Sequence, residues 1–358
     1  MKVLILGASG HIGKRLTKLL GTTPWAEPVA ASRRQNGTAS AGQSATVSVD
    51  TLDASGLTVA LKGFDAVVNC VSGSAKPISE GTRVLVQSAL AAGCPRIVHL
   101  STMSVYGPAE GRVREDHARD PSLGWYGRAK CEAEAHIAGF VQQGGQAVTL
   151  RPGCVYGPGS ELWTGRVGRW LRAGRLGDLG ANGDGWSNLV HVDDVCQAVM
   201  AALRLEATKG KTATFNLAAP DSPRWNDYFV DLALAIGATP LKRVGPLQLR
   251  IDGLLAGPAL KLAEMGLSRM GKAGWLPSPM PPGLARLWSQ HIRLDPAAAS
   301  CELKLCWTPY SLGLRSSADW FLGTQYQRNK ALGRSWALRG PEWISKSPGT
   351  DPTHPSRP

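Results

Sequence analysis

The sequence predicts an α/β fold, a doubly wound parallel sheet with a small, discontinuous and mainly helical cap. Three observations predict it. An apolar run at residues 3–6 leads through a glycine turn into a helical pattern with Ile12, Leu16 and Leu19 or Leu20 on one face. Short apolar runs then alternate with helical patterns through the first half of the chain, which indicates parallel strands with helices on both faces. From about residue 160 the alternation becomes irregular, while helical patterns at 163–174, 225–236, 247–270 and 282–289 continue.

In chain order, residues 28–31 form the second expected strand and residues 45–49 the third. Residues 65–71 are a near-continuous apolar run, as a strand buried on both faces should be. The end of that run, Val71 to Gly73, falls on the edge where doubly wound sheets bind ligands. A helix at 80–92, a strand at 96–100, a helix opening near Tyr126 and a sixth strand at 147–150 follow, and residues 214–217 return to the sheet. This places the main domain at residues 1–160, rejoined by 186–222, and the cap at 161–185 and 223–322. Within the cap, residues 244–270 are rich in Leu and Ala but interrupted by Arg250, Asp252, Lys261 and Glu264, the pattern of an amphipathic helix on the surface or lining the cleft. Residues 323–358 are an extension whose Pro, Ser and Thr content predicts disorder after about residue 340.

The turn itself, Gly7-Ala8-Ser9-Gly10-His11-Ile12-Gly13, carries the first chemistry. A dinucleotide's pyrophosphate sits against a helix N-terminus, where unpaired N–H groups and the positive end of the dipole face it and side chains must stay clear. Gly7 and Gly10 supply the turn and the close approach, Gly13 the helix packing, and Ser9, His11 and Ile12 complete the loop. The domain is therefore expected to be Rossmann-type. The second strand ends in Ser32-Arg33-Arg34, where an NAD enzyme usually places an acid for the ribose 2'-hydroxyl. Arg33 and Arg34 suit a 2'-phosphate instead, so NADP is expected in preference to NAD.

The spacing Gly-x-x-Gly-x-x-Gly resembles that of the short-chain dehydrogenase/reductase superfamily, and Tyr126-Gly127-Arg128-Ala129-Lys130, downstream of a strand ending in Ser101-Thr102, sharpens the resemblance. Interconverting an alcohol and a ketone by hydride transfer requires the hydroxyl proton to move as well. A tyrosine, with an ordinary pKa of about 10, needs a neighbouring cation to serve as base near neutral pH. Lys130 lies four residues beyond Tyr126, on the same helix face. The third group, a hydroxyl donor for the substrate oxygen, is Thr102 by the family's spacing relative to Val105-Tyr106-Gly107, with Ser101 the alternative. A second Tyr-x-x-x-Lys, Tyr326 to Lys330, follows the last expected helix with no hydroxyl-ended strand before it and is expected on the surface.

Further segments resemble the extended branch, the NAD-dependent epimerase/dehydratase family. Asp50 and Asp53 match its Asp-x-x-Asp; the resemblance implies that Asp50 reaches the adenine, while a helix N-cap is the structural alternative. Arg151-Pro152-Gly153 with Val155 to Gly159 resembles the segment that passes beside the nicotinamide, so Val71 and Pro152, like Tyr126 and Lys130, are expected along the cofactor. Residues 189–195 match a strand-to-helix signature in which Asp193 or Asp194 is expected to cap the helix and His191 to be structural. The branch's common Asn three residues before Gly81-Thr82 is Ile78 here, which leaves open any Asn contribution to a proton relay. Relatives often dimerise through the helices that here hold residues 83–92 and 126–142.

Composition sets the remaining bounds. A net charge of +13 from 40 basic and 27 acidic residues suggests nucleic acid, but the basic residues are scattered, so attraction to anionic cofactors, acidic substrates or a lipid surface is preferred. The seven cysteines form no Cys-x-x-Cys pair and imply no metal site. No apolar run approaches the roughly 20 residues that span a bilayer, and no leader precedes the first strand, so a cytoplasmic protein is expected. The expected partners are a small-molecule substrate, a second copy of the chain and, through an apolar face, a membrane surface.

The function these residues predict is NADP-dependent oxidoreduction, with a non-catalytic NADP-binding regulator as the competitor. For substrate, position 187 matters. Nucleotide-sugar enzymes of the branch commonly carry an Arg four residues before the signature His, and here it is Ser187. Residues 244–270 and 284–288 resemble the 3β-hydroxysteroid dehydrogenase and dihydroflavonol reductase group. A lipophilic alcohol or ketone is thus expected, with a nucleotide sugar as the alternative, for which Arg166, Arg169, Arg172 or Arg175 would have to meet the diphosphate.

Overall fold

The computed structural model describes residues 1–33, 45–206, 210, 212–251, 280, 281 and 283–331. Strands β1 (Lys2–Leu6), β2 (Glu27–Ser32), β3 (Thr46–Ser48), β4 (Ala66–Asn69), β5 (Arg96–Leu100), β7 (Gln146–Pro152) and β10 (Ala213–Leu217) form one parallel sheet in the order β10-β7-β5-β4-β1-β2-β3. The order reverses at β1, and the crevice beyond the ends of β1 and β4 is where such a sheet receives ligands. Alternation along β1 divides the core: Val3 and Ile5 pack with Leu16, Leu20, Val195 and Val199 on one face, Leu4 and Leu6 with Leu85, Ile97, Ile137 and Phe140 on the other. The first face is covered by α1 (His11–Leu20) and α6 (Val192–Arg204), the second by α2 (Ala54–Leu61), α3 (Ala75–Ala92) and α4 (Trp125–Gln142).

Two short parallel pairs were not legible in the sequence: β6 (Gly111–Val113) with β11 (Ile292–Leu294), and β8 (Cys154–Tyr156) with β9 (Leu189–His191). The strand expected at residue 189 therefore lies outside the main sheet. In the cap, a wide helical turn Glu161–Arg166 runs into α5 (Val167–Arg172), and α7 (Trp225–Ala235), a short helix Pro246–Ile251 and a helix Gly283–Ser289 follow. Of the amphipathic helix expected at 244–270, residues 252–270 lie outside the described residues, as does everything beyond Ala331, the expected disordered tail included. Residues Met1–Phe321 form one compact unit and Leu322–Pro358 a second. Tyr326 belongs to the helix Tyr310–Ala331, not to a segment after the last helix, and it is 58% exposed. Among the described residues no helix is long and apolar enough to cross a membrane.

Candidate active site

Gly7 sits at φ +76°, and a Cβ there would lie 2.8 Å from the Cys70 carbonyl of the neighbouring strand end. At Gly13 a Cβ would lie 2.3 Å from the Gly7 carbonyl, so α1 reaches the turn only because position 13 has no side chain. Ser9, Gly10, His11, Ile12 and Gly13 line a cavity of about 1020 Å³ together with Val71, Thr102, Tyr126, Lys130 and Pro152. A second cavity, of about 240 Å³, holds Gly7, Arg33 and Asp50 and shares Ser9, Gly10 and Val71 with the first. The two cavities flank the glycine turn, the smaller at the end of β2 and the larger reaching the ends of β5 and β7, an arrangement that fits an extended dinucleotide with room for a substrate. Arg34 lies outside the described residues. Asp53, not Asp50, caps α2, accepting from the Ser55 and Gly56 amides, while Asp50 accepts from the Leu52 amide.

The end of β5 orders the hydroxyls. Thr102 caps a tight helical turn, Met103–Tyr106, taking the Ser104 amide at 3.3 Å, and its hydroxyl lies 3.3 Å from that of Ser104. The Tyr126 phenol interacts with Thr102 and is raised above its ordinary pKa by burial, an effect that contact only partly offsets. Its ring packs against Ile78, Ala129 and Ala133, so the position where relatives carry Asn is apolar packing here. Ser101 turns away: its hydroxyl donates to Glu134 at 2.5 Å in the interior. The Thr102 hydroxyl stays beside that of Ser104, and both residues line the cavity with Tyr126.

Lys130 is 3% exposed, and its ammonium donates to the Leu100 carbonyl at 2.6 Å and the Val71 carbonyl at 3.4 Å, the ends of β5 and β4. Burial pushes it down to about 8, against the opposing influence of Cys70 and Glu134. The sequence-based expectation of a phenol lowered by this lysine is not met in the protein alone, because the ammonium is aimed at strand-end carbonyls and burial dominates at Tyr126.

Around the site, His11 Nε2 lies 3.0 Å from the Pro158 carbonyl, and burial lowers its pKa. Neither Asp193 nor Asp194 caps α6. The His191 ring does, accepting from the Asp193 amide at 3.3 Å, while Asp193 pairs with Arg15 on α1 and Asp194 accepts from the amide and hydroxyl of Thr308. The aspartates are drawn off by partners far along the chain, which local spacing cannot reveal. Ser187 is fully buried and bonded to Ser222 and the Pro223 carbonyl, so its side chain does not face the cleft. Of the cap arginines, Arg169 pairs with Glu161, and Arg172 donates to the Ile236 carbonyl and stacks on Phe321. Sequence reasoning missed Leu162, Trp163 and Trp320 of the outer wall, while Leu284 and Leu287 fall in the segment 284–288 whose resemblance pointed to an apolar substrate. Their helices were legible, but no periodicity says which of two apolar neighbours a cap helix faces.

The chain is 35% identical over 161 residues to protein YeeZ of Escherichia coli strain K12 and 33% identical over 169 residues to a 3-diazoavenalumate denitrifying reductase of a Streptomyces species. Each match covers 45% of this chain and 53% of the relative, so the chain spans about half the length of the curated relatives it matches. Among solved structures, a UDP-glucuronic acid 4-epimerase from Bacillus cereus in complex with NAD superposes with a TM-score of 0.69 at 19% identity, covering 91% of this chain and 98% of that one. MoeE5 in complex with UDP-glucuronic acid and NAD gives 0.67 at 23% identity over 91% and 100%. These structures share the fold, a seven-stranded parallel sheet with helical additions. The expected likeness to the 3β-hydroxysteroid dehydrogenase group finds no support in these matches. Residues 3–218, more than half of the chain, match the model of the NAD dependent epimerase/dehydratase family, and the chain belongs to that family.

Proposed function

We propose that the chain catalyses a nicotinamide-dependent redox step at a carbon bearing a hydroxyl or carbonyl group, with Tyr126 as the acid/base, Lys130 as its cationic support and Thr102 as the donor to the substrate oxygen. The observation that carries this reading is that Thr102, Tyr126 and Lys130 line the same cavity as the glycine turn. A bound nicotinamide dinucleotide supplies or accepts the hydride. The protein's own part is the proton: the buried phenol stays protonated to higher pH than usual and hands its proton to a developing alkoxide, while Thr102 fixes the oxygen. Elimination of water fits less well, because Glu161, the one carboxylate among the described residues lining the larger cavity, is committed to Arg169.

For substrate, the apolar wall of Trp163, Trp320, Leu284 and Leu287 favours a lipophilic alcohol or ketone. A nucleotide sugar is the second reading, favoured by structural neighbours solved with UDP-sugars and NAD over 91% of this chain. A thermal-shift comparison with NADP present separates them. Stabilisation by steroid-like or aromatic carbonyl ligands and none by UDP or dTDP is expected, and the reverse pattern would establish the second reading. For cofactor, Arg33 beside Asp50 and Gly7 supports NADP over NAD. Fluorescence titration is expected to show NADPH bound at least about tenfold tighter than NADH, the preference shrinking in Arg33→Ala. Equal affinities in the unmodified protein would remove it.

A further inference from the structure

Glu134 lies on α4 one turn beyond Lys130 and two beyond Tyr126, so the three side chains follow one helix face. It is 5% exposed. A carboxylate is tolerated at that depth only when cations and donors meet its oxygens. Here Arg151 of β7 reaches it through Nε at 2.9 Å and Nη2 at 2.7 Å, Arg119 adds a contact at 3.2 Å, and the Ser101 hydroxyl donates at 2.5 Å. The remaining Arg151 donor is spent on the Tyr106 hydroxyl at 2.8 Å and the Glu115 carbonyl at 2.9 Å, so the guanidinium cannot swing away. Ser101 stands between Leu100, whose carbonyl takes the Lys130 ammonium, and Thr102, which lines the cavity together with Tyr126.

We propose that Glu134, clamped by Arg151, is a positioning residue that ties the Leu100–Thr102 strand end to α4 and so holds the Lys130 ammonium and the Thr102 hydroxyl in register with Tyr126. The roles of those three residues rest on the function proposed above, but the tie itself does not. It has a signature that general packing lacks, because Glu134 also acts on Lys130 through its charge. The titratable groups acting on Lys130 are Cys70 at the end of β4, His99 of β5 and Glu134 of α4. Of these, Glu134 is the one paired with two arginines.

The test is an NMR titration of the full chain carrying lysine labelled with ¹³C at Cε, without added ligand, the Lys130 signal being identified by its loss in Lys130→Arg. The unmodified protein is expected to titrate at Lys130 near pH 8. Glu134→Gln, close to isosteric, is expected to lower that midpoint by about half a unit or more at unchanged far-UV circular dichroism. Ser101→Ala keeps the carboxylate but cuts the tie, and is expected to leave the midpoint in place while displacing the Lys130 resonance. A folded Glu134→Gln protein whose Lys130 titrates as before overturns the proposal. Should that variant not fold, Ser101→Ala decides alone: an unmoved Lys130 resonance overturns it and a displaced one supports it. Because the titration uses neither substrate nor dinucleotide, failure to find turnover would count against the redox reading and leave this result standing.

Discussion

The state of the Tyr126 phenol is set by its surroundings. In the protein alone burial keeps its proton on, and Thr102 is the contact that works against burial. Tyr126→Phe keeps the ring packed on Ile78 and Ala133 and removes only the hydroxyl, so turnover is expected to fall by about 10³-fold or more with an unchanged melting temperature. Thr102→Ala is expected to cost about 10²- to 10⁴-fold in kcat, as loss of a positioned donor does. A fully active Tyr126→Phe enzyme would remove the tyrosine from the chemistry. The pH dependence follows from Lys130. Its pKa is lowered to about 8, so the ammonium is present below that pH and lost as the pH rises through it. Carbonyl reduction is therefore expected to decline on the alkaline side with a limb near pH 8 in kcat/KM. A limb at about 10, the ordinary lysine range, would show that the lysine does not titrate as a buried group.

At the scale of elements, the glycine turn and α1 are one device. The Gly13 Cβ that is missing would also stand 2.8 Å from the Ala8 Cα, and backbone on both sides leaves nothing flexible to yield. Gly13→Ala is expected to push α1 off the turn, costing about 1–3 kcal/mol of stability in urea unfolding and weakening dinucleotide binding in fluorescence titration. A variant with native stability and native affinity would contradict the close-packed turn. The other end of the same arrangement is the Arg15–Asp193 pair, which ties α1 to α6 through two bonds of 2.5 and 2.8 Å. Helix α6 thus begins on a histidine cap, with its first aspartate engaged elsewhere. That a helix follows residue 191 was expected from the resemblance of residues 189–195 to the family's strand-to-helix signature. Its cap was not, because His191, Asp193 and Asp194 are all chemically able to end a helix and only the approach of α1 and of Thr308 assigns them.

For the whole molecule, the edge strand β10 is held by a buried chain of polar groups: Tyr106 donates to Asn216 at 2.7 Å, Asn216 donates to the Val113 carbonyl at 3.1 Å, and Glu115 accepts the Asn216 amide at 2.8 Å. Tyr106→Phe leaves a buried acceptor on Asn216 and a donor on Arg151 without that hydroxyl, and is expected to cost about 1–3 kcal/mol in equilibrium unfolding. An unchanged midpoint would show that the chain of bonds relaxes around the loss. The sequence by itself determined the sheet, the glycine turn and the helical spacing that sets Tyr126 and Lys130 on one face, because strand burial, turn geometry and helical spacing are local constraints that each leave a mark within a few residues, whereas Thr102 came from the resemblance to the family with Ser101 left open. Only the tertiary structure decided that Ser101 turns inward to Glu134, that Ile78 packs on the phenol, that Ser187 is buried and that the outer wall is built from Trp163, Trp320, Leu284 and Leu287. Those are pairings across many residues, in which several side chains of the same chemistry compete for one partner. Packing chooses among them by burial and by which polar groups are left to satisfy.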